Sequence, residues 1–321
     1  MTKKIQTILG PVPIDSLGLL LPHEHLFTDL RGPIVPDYAQ ASPDDVASVV
    51  EPYLAEASSA GVTAMVECST VGVGRNLAVL QCLAEITPIH IIAPTGVYKE
   101  AFTPASLRDT SVERLAELWT QELLSGIEGT TIRAGFIKLA VSDDGLTDLE
   151  IRNLKAAAKA SAASEAVIAS HTVGGEAAML ELDILENEGL DLERFIWVHA
   201  QAENDLSIQI EAARRGAYLE IDSIGGTWQS QTQLLENVLG VIEAGYIDNL
   251  LLSHDAGWYN PARLDGMPEE GFRSYTVLMT EFFPALREYG VTEEQISRIT
   301  IDNPARAFAF NSFAYPGCSP S

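Results

Sequence analysis

The chain has only six histidines, and five of them fall where short apolar runs end. His23 and His25 flank Glu24 just after the run 17–22. His171 closes 166–171, His199 lies in 194–200, and His254 precedes Asp255 in 249–255. His90, at the start of 89–96, is the exception. Side chains alternate along a strand, so His23 and His25 share one face and Glu24 takes the other. Two neutral imidazoles on one face can share a first-row cation. Read alone, the pair is also consistent with two hydrogen-bonded polar residues at a strand end, and His171 and His199 with satisfied strand histidines.

His254 and Asp255 are adjacent, so strand alternation lets only one of them face inward. Asp255 is the expected inward residue, because a carboxylate suits both cation binding and proton acceptance. Lys138 sits inside the apolar run 134–141. An ammonium is expensive to bury there, and desolvation favours the neutral, nucleophilic amine. Such an amine near metal ions can take up CO₂ to become a carbamate, a carboxylate able to bridge two cations. A Lys snorkelling from a strand end, or paired with a carboxylate, is the other reading.

The elements that position these residues form a regular alternation. Eight apolar runs of strand type, at 17–22, 62–68, 89–96, 134–141, 166–171, 194–200, 217–222 and 249–255, alternate with helical stretches. Residues 43–60 open with Ser42 at the cap position and Pro43 at the first helical one. Residues 111–125 place Val112, Leu115, Leu118, Trp119 and Leu123 on one face, and 148–164 and 205–215 read the same way. A last helical region covers 292–310, with a cap at Thr292 and a restart at Asn303-Pro304; the residues through Ser321 read as a loose tail. Continuous apolar strands alternating with helices imply a parallel sheet covered on both faces. The expectation is a single-domain α/β protein over 1–321, a (β/α)₈ barrel with its core at about 17–310. An open doubly wound sheet is the alternative, but the glycine-rich phosphate loop expected after its first strand is missing. In a barrel, strand C-termini form the active-site face, and five of the six histidines would gather there.

Composition narrows the function. Of 321 residues, 46% are hydrophobic and 20% charged, as in a globular protein. Lys and Arg number 20 against 45 Asp and Glu, a formal net charge of −25 that disfavours nucleic-acid and anionic-membrane partners. Three cysteines, at 68, 82 and 318, form no CxxC pair, which points to a reducing, cytoplasmic setting. Neither a signal peptide nor an 18-residue apolar span is expected.

Taken together, His23, His25, Lys138, His171, His199 and Asp255 resemble the metal-ligand pattern of the phosphotriesterase family in the amidohydrolase superfamily. The likeness covers about Gly18 to Phe308 through LLPHEHL, APTGVY, AGFIKLAV, ASHT, VHAQ, LLSHDAGWY and DNPARAFAF. It implies a (β/α)₈ barrel holding two divalent ions, Zn²⁺ by default, with Mn²⁺, Co²⁺ or Fe²⁺ fitting the same donors. His23, His25 and Asp255 would hold one ion, His171 and His199 the other, with N-carboxylated Lys138 and a hydroxide bridging them. Asp255 would accept the proton as that hydroxide attacks, and a homodimer is the family expectation. Lactonases of this family use a Tyr after strand three, here Tyr98, and Trp258 and Tyr259 would wall the pocket. The strand-seven position that usually carries Arg or His reads Ser223, and the usual carboxylate after the strand-six His is Ala202; the proton relay those groups form is therefore missing. Tyr98, Trp258 and Ser223 are the candidate substrate-binding residues. The segment Gly257–Arg273 is short for a long lid. The expected reaction is hydrolysis of a lactone or carboxylic ester; an amide, N-acyl or phosphoester substrate, or a non-catalytic metal-binding barrel, are the alternatives. Lys99, Arg31, Arg75 and Arg263 are candidate anion-binding groups at the mouth.

Overall fold

The computed structural model describes residues 3–310. Cys318 and the expected loose tail lie outside the described residues. Eight strand positions ring the barrel: β1 (Leu19–Phe27), β2 (Val62–Glu67), β3 in two pieces (His90–Ile92 and Pro94–Val97), β4 (Phe136–Ala140), β5 (Ile168–His171), β6 (Phe195–Val198), β7 (Tyr218–Ile221) and β8 in two pieces (Leu250–Leu252 and Gly257–Tyr259). Each pairs in parallel with its neighbours in sequence, and the second piece of β8 pairs with β1. The ladder forms two arcs joined by the chain itself at Ala93 and at 253–256. Hydrogen bonds cross both joints, from Gly135 N to Ala93 O and from His25 N to Ala256 O. The fold is a (β/α)₈ TIM barrel.

The helices between strands are α1 (Pro43–Ser59), α2 (Leu77–Ile86), α3 (Val112–Leu124), α4 (Asp148–Ser164), α5 (Gly175–Asn187), α6 (Leu206–Arg214) and α7 (Gln231–Glu243). Capping boxes at Thr147–Glu150 and Ser230–Gln233 satisfy first-turn amides of α4 and α7. Ser42 does precede α1 with Pro43 in the first turn, but its hydroxyl makes no cap bond. The region from 292 is one helical run with a capping box at Thr292 and a π segment, Arg298–Asp302, before Asn303-Pro304. A second π segment, Leu278–Phe282, precedes Phe283-Pro284. Proline has no N–H and its ring crowds the preceding turn, so the helix widens there instead of breaking.

Two strands depart from their expected limits. β1 runs to Phe27 and carries His23 and His25 inside it, not after it. Its polar Glu24 does not end the strand because that carboxylate is fully buried against Ser253 Oγ, both Nδ1 and N of His254, and Ala256 N. The first piece of β8 stops at Leu252, and Asp255 adopts a left-handed φ of 50°. Strand alternation therefore does not govern His254 and Asp255; a turn does.

Phe136 on β4 packs in the inner barrel cluster with Leu20, Val66, Ile92, Ile196 and Leu251. Period two then points Lys138 into the same interior, one layer nearer the C-terminal mouth. Gly96, across from it on β3, has φ of 101°, and a Cβ there would lie 2.0 Å from Lys138 O. No other residue allows β3 and β4 to approach so closely beside the lysine. Ile5, from the N-terminal hairpin of Lys4–Thr7 and Gly10–Pro13, and Phe308 fill the opposite end.

Candidate metal centre

His23, His25, Tyr98, Lys138, His171, His199, Asp255 and Trp258 line one cavity of about 180 Å³ at the C-terminal mouth. Ser223 does not line it; Ser223 is buried, and its carbonyl accepts from Gly226 N. Of the four cations expected near the mouth, Lys99 is held by Asp143, Arg31 by Asp29 and Asp37, Arg75 by Glu122 and Glu128, and Arg263 by Asp265. Arg273, overlooked in the sequence, lines the cavity.

Asp255 Oδ1 lies 2.9 Å from His25 Nε2 and 3.4 Å from His23 Nε2. Donors sharing one cation of this size sit about 3 Å apart. On the far wall, His199 Nε2 lies 2.7 Å from His171 Nδ1, and the Tyr98 hydroxyl 3.2 Å from that same Nδ1. The buried Lys138 Nζ, from a residue lining the same cavity, has no hydrogen-bond partner, and neither has His171 Nε2, on the ring edge away from His199. A buried amine and imidazole nitrogen without partners are costly in a finished polar cluster. The donor set therefore fits divalent cations, with nitrogen and carboxylate oxygen as donors.

Carboxylates behind the rings fix their orientation. His23 Nδ1 faces Glu220 Oε1 at 2.8 Å and Asp222 Oδ2 at 3.1 Å, and His199 Nδ1 faces Asp222 Oδ1 at 2.7 Å. His25 Nδ1 lies 2.8 Å from Ser69 Oγ. His23, His199 and Asp222 also lie close enough to hold an ion among themselves, but Asp222 addresses the Nδ1 atoms and leaves both Nε2 atoms to the cavity. Glu220 and Asp222 were missed in the sequence. Their signal was two carboxylates two residues apart in the apolar run 217–222, the same spacing as His23 and His25.

The electrostatics separate the histidines. Burial, helped by the charge of Lys138, pushes His23 down to about 3, and burial with the neighbouring His199 pushes His171 well down. Burial also works against charge on His25, but hydrogen bonds to Asp255 and Glu67 outweigh it and raise His25 to about 9. Asp255 is held far below the carboxylate range: burial opposes ionisation, and His23 and His25 overcome it. Asp222 is likewise held low by His199 and His23 against burial, while burial and the Asp222 charge push Glu220 up.

Among the described residues, three of the six non-glycine residues with positive φ sit here: His199 at 66°, Asp255 at 50° and Trp258 at 73°. Left-handed backbone costs an L-residue about 1–2 kcal/mol, and its concentration at this mouth marks a site held in shape by its surroundings. His254 points away. Its Nδ1 lies 2.6 Å from Glu24 Oε1 and its Nε2 accepts from Leu278 N at 2.9 Å.

The profile of the phosphotriesterase family matches residues 3–308. The chain is 30% identical to a phosphotriesterase homology protein of Mycobacterium tuberculosis, over 95% of this chain and 97% of the relative. It is 28% identical to an N-acetyltaurine hydrolase of Danio rerio, over 96% and 98% of the two chains. A mutant of the Deinococcus radiodurans PTE-like lactonase superposes with a TM-score of 0.83 at 29% identity, covering 95% of this chain and 99% of that one. With that profile matching nearly the whole chain and a donor set of this kind at the barrel mouth, the chain belongs to the phosphotriesterase family and is a metal-dependent hydrolase.

Proposed function

We propose that the protein hydrolyses a lactone or carboxylic ester with two divalent ions, Zn²⁺ by default and Mn²⁺, Co²⁺ or Fe²⁺ as substitutes. In this reading His23, His25 and Asp255 would hold one ion and His171 and His199 the other, and Lys138, once N-carboxylated, would supply a carboxylate donor to both. Ions bound there lower the pKa of water and polarise the scissile carbonyl. Asp255 takes the proton at its carboxylate, which is ionised at neutral pH and faces the cavity. Tyr98 and Trp258 orient the acyl group from two sides. The observation that carries the reading is the small cavity itself: Tyr98, whose hydroxyl lies 3.2 Å from His171 Nδ1, and Lys138, whose buried amine has no partner, line the same space of about 180 Å³.

A second reading, hydrolysis of an N-acyl bond, is favoured by Arg273 at the cavity wall and by the relatives named N-acetyltaurine hydrolase. A panel of lactones, esters, N-acyl amino acids and phosphoesters, turned over by the metal-loaded protein and followed by pH change, tests both. Turnover confined to phosphoesters overturns the first reading and the second.

The same proposal includes one barrel unit over 1–321, a cytoplasmic location and a homodimer. Cys68 and Cys82 are free thiols, in keeping with a reducing setting. Among the described residues no helix is long and apolar enough to cross a membrane. Light scattering reads the dimer.

A further inference from the structure

Arg273 is a cation at the mouth that no carboxylate holds. Its two terminal nitrogens donate to the backbone carbonyls of His254, at 3.3 Å, and Asp255. No described acidic group lies within ion-pair distance of it, whereas Arg31 and Lys99 nearby are each taken by aspartates. In a chain of net charge −25 an uncompensated guanidinium at a cavity wall is unusual. Two backbone carbonyls use only part of a guanidinium's five donors.

Its position is built. Arg273 lines both the 180 Å³ cavity and an adjoining cavity of about 400 Å³, and Thr28, Leu30 and Trp258 are also shared between them. Gly226, in the loop after β7, leaves the guanidinium room: a Cβ there would stand 2.9 Å from Arg273 Nη1 and 3.1 Å from Ser223 O. The outer cavity is otherwise walled by Arg31, which Asp29 and Asp37 hold, and by β8 and the segment after it, including exposed Glu269 and Glu270, neither of which pairs with Arg273.

We infer that Arg273 reads a single negative charge on the substrate, a carboxylate or sulfonate carried a few bonds from the scissile carbonyl. The inference rests on the acyl-hydrolase reading above and narrows its substrate class. The acyl carbon lies in the inner cavity, and the chain bearing the anion passes Trp258 to the junction, where the guanidinium fork meets it. Glu269 and Glu270 disfavour a doubly charged phosphate in the outer cavity. Arg273 acts on binding and takes no part in bond making.

The test uses matched pairs that differ only in charge: 3-acetoxypropanoate against 3-acetoxypropanamide, and N-acetyl-β-alanine against its primary amide. The metal-loaded wild type is expected to favour the anion of a pair by at least about tenfold in kcat/KM, chiefly through KM. Arg273→Met should erase that preference, Arg273→Lys restore part of it, and Gly226→Ala, which displaces the fork without removing its charge, diminish it. An unchanged anion-to-neutral ratio in Arg273→Met, with both substrates slowed alike, would show that Arg273 only ties down the carbonyls of His254 and Asp255. A wild type that prefers the neutral member, or acetylated phosphoethanolamine over both acids, overturns the inference without any variant. Calorimetry of β-alanine and β-alaninamide with the same proteins reads the anion site apart from turnover. Binding of β-alanine that depends on Arg273, with no ester or N-acyl bond cleaved, would refute the reaction and leave the anion site standing; equal binding to wild type and Arg273→Met would do the reverse.

Discussion

Asp222 Oδ1 lies 2.7 Å from His199 Nδ1, while its other oxygen reaches His23 Nδ1 at 3.1 Å. A carboxylate held low in pKa can only accept, so it fixes the proton on Nδ1 and turns Nε2 of His199 toward the cavity. One residue just after β7 thereby orients the rings of both His23 and His199. Asp222→Asn keeps the shape but can present an amide N–H to a ring nitrogen that needs an acceptor. Affinity for Zn²⁺ should fall about 10–100-fold, as for other partners of metal-bound histidines. Competition with a chromogenic chelator measures it, and wild-type affinity in the variant would reduce Asp222 to a packing residue.

Metal uptake should depend on pH through His25. Raised to about 9, it is an imidazolium at neutral pH in the metal-free protein, and it must lose that proton to ligate. Below about 9, affinity should rise about tenfold per pH unit from this group alone and then level off. His23 and His171, pushed down by burial, are already neutral and add no slope near neutrality. Calorimetry in buffers of different ionisation enthalpy should find about one proton released from His25 per chain. Elemental analysis should find about two ions per chain. A flat affinity between pH 6.5 and 8.5 would contradict the first expectation, and a metal-free folded protein the second.

How legible the site was in the sequence depended on where each partner lies along the chain. The eight strands were readable because parallel strands buried on both faces are continuous apolar runs. The full reach of β1 was not, because Glu24 finds its acceptor's partners about 230 positions away, at Ser253 and His254. Glu220 and Asp222 carried a local signal, a period-two pair of acids in an apolar run. Arg273 carried none. Its meaning lies in lacking an acidic partner, and Arg31 or Lys99 looked equally available until the fold placed Asp29, Asp37 and Asp143 against them.

Lys138 is 1% exposed, and its Nζ has no partner. If its carbamate bridges two ions, Lys138→Ala should lower activity at least about 10²-fold and remove most of one ion. Acetate or propionate should restore part of both, by supplying the missing carboxylate. Truncating this fully buried side chain also leaves a cavity, so the melting temperature of the metal-free variant is the control that separates lost packing from the lost ion. Full activity without added acid would make Lys138 a packed strand residue.

The pair at the end of β8 gives the sharpest contrast. Asp255 turns into the cavity through a left-handed backbone and meets Nε2 of His23 and His25. Its neighbour His254 turns out and is fully buried between Glu24 and Leu278 N. Asp255→Asn removes both a proton acceptor and a charged donor, so kcat should fall at least about 10²-fold. The loss should persist at saturating metal, because an amide at this position cannot take the proton even when the ions are in place. His254→Asn leaves the cavity lining intact and strips partners from a buried carboxylate and a helix amide. Its cost should therefore appear as a lower melting temperature, on the order of 1–3 kcal/mol for an unsatisfied buried polar group, with kcat near that of the wild type. Measuring kcat and thermal unfolding on both variants separates the roles. The reverse pattern, turnover lost in His254→Asn and kept in Asp255→Asn, would place the proton acceptor on the wrong side of this turn.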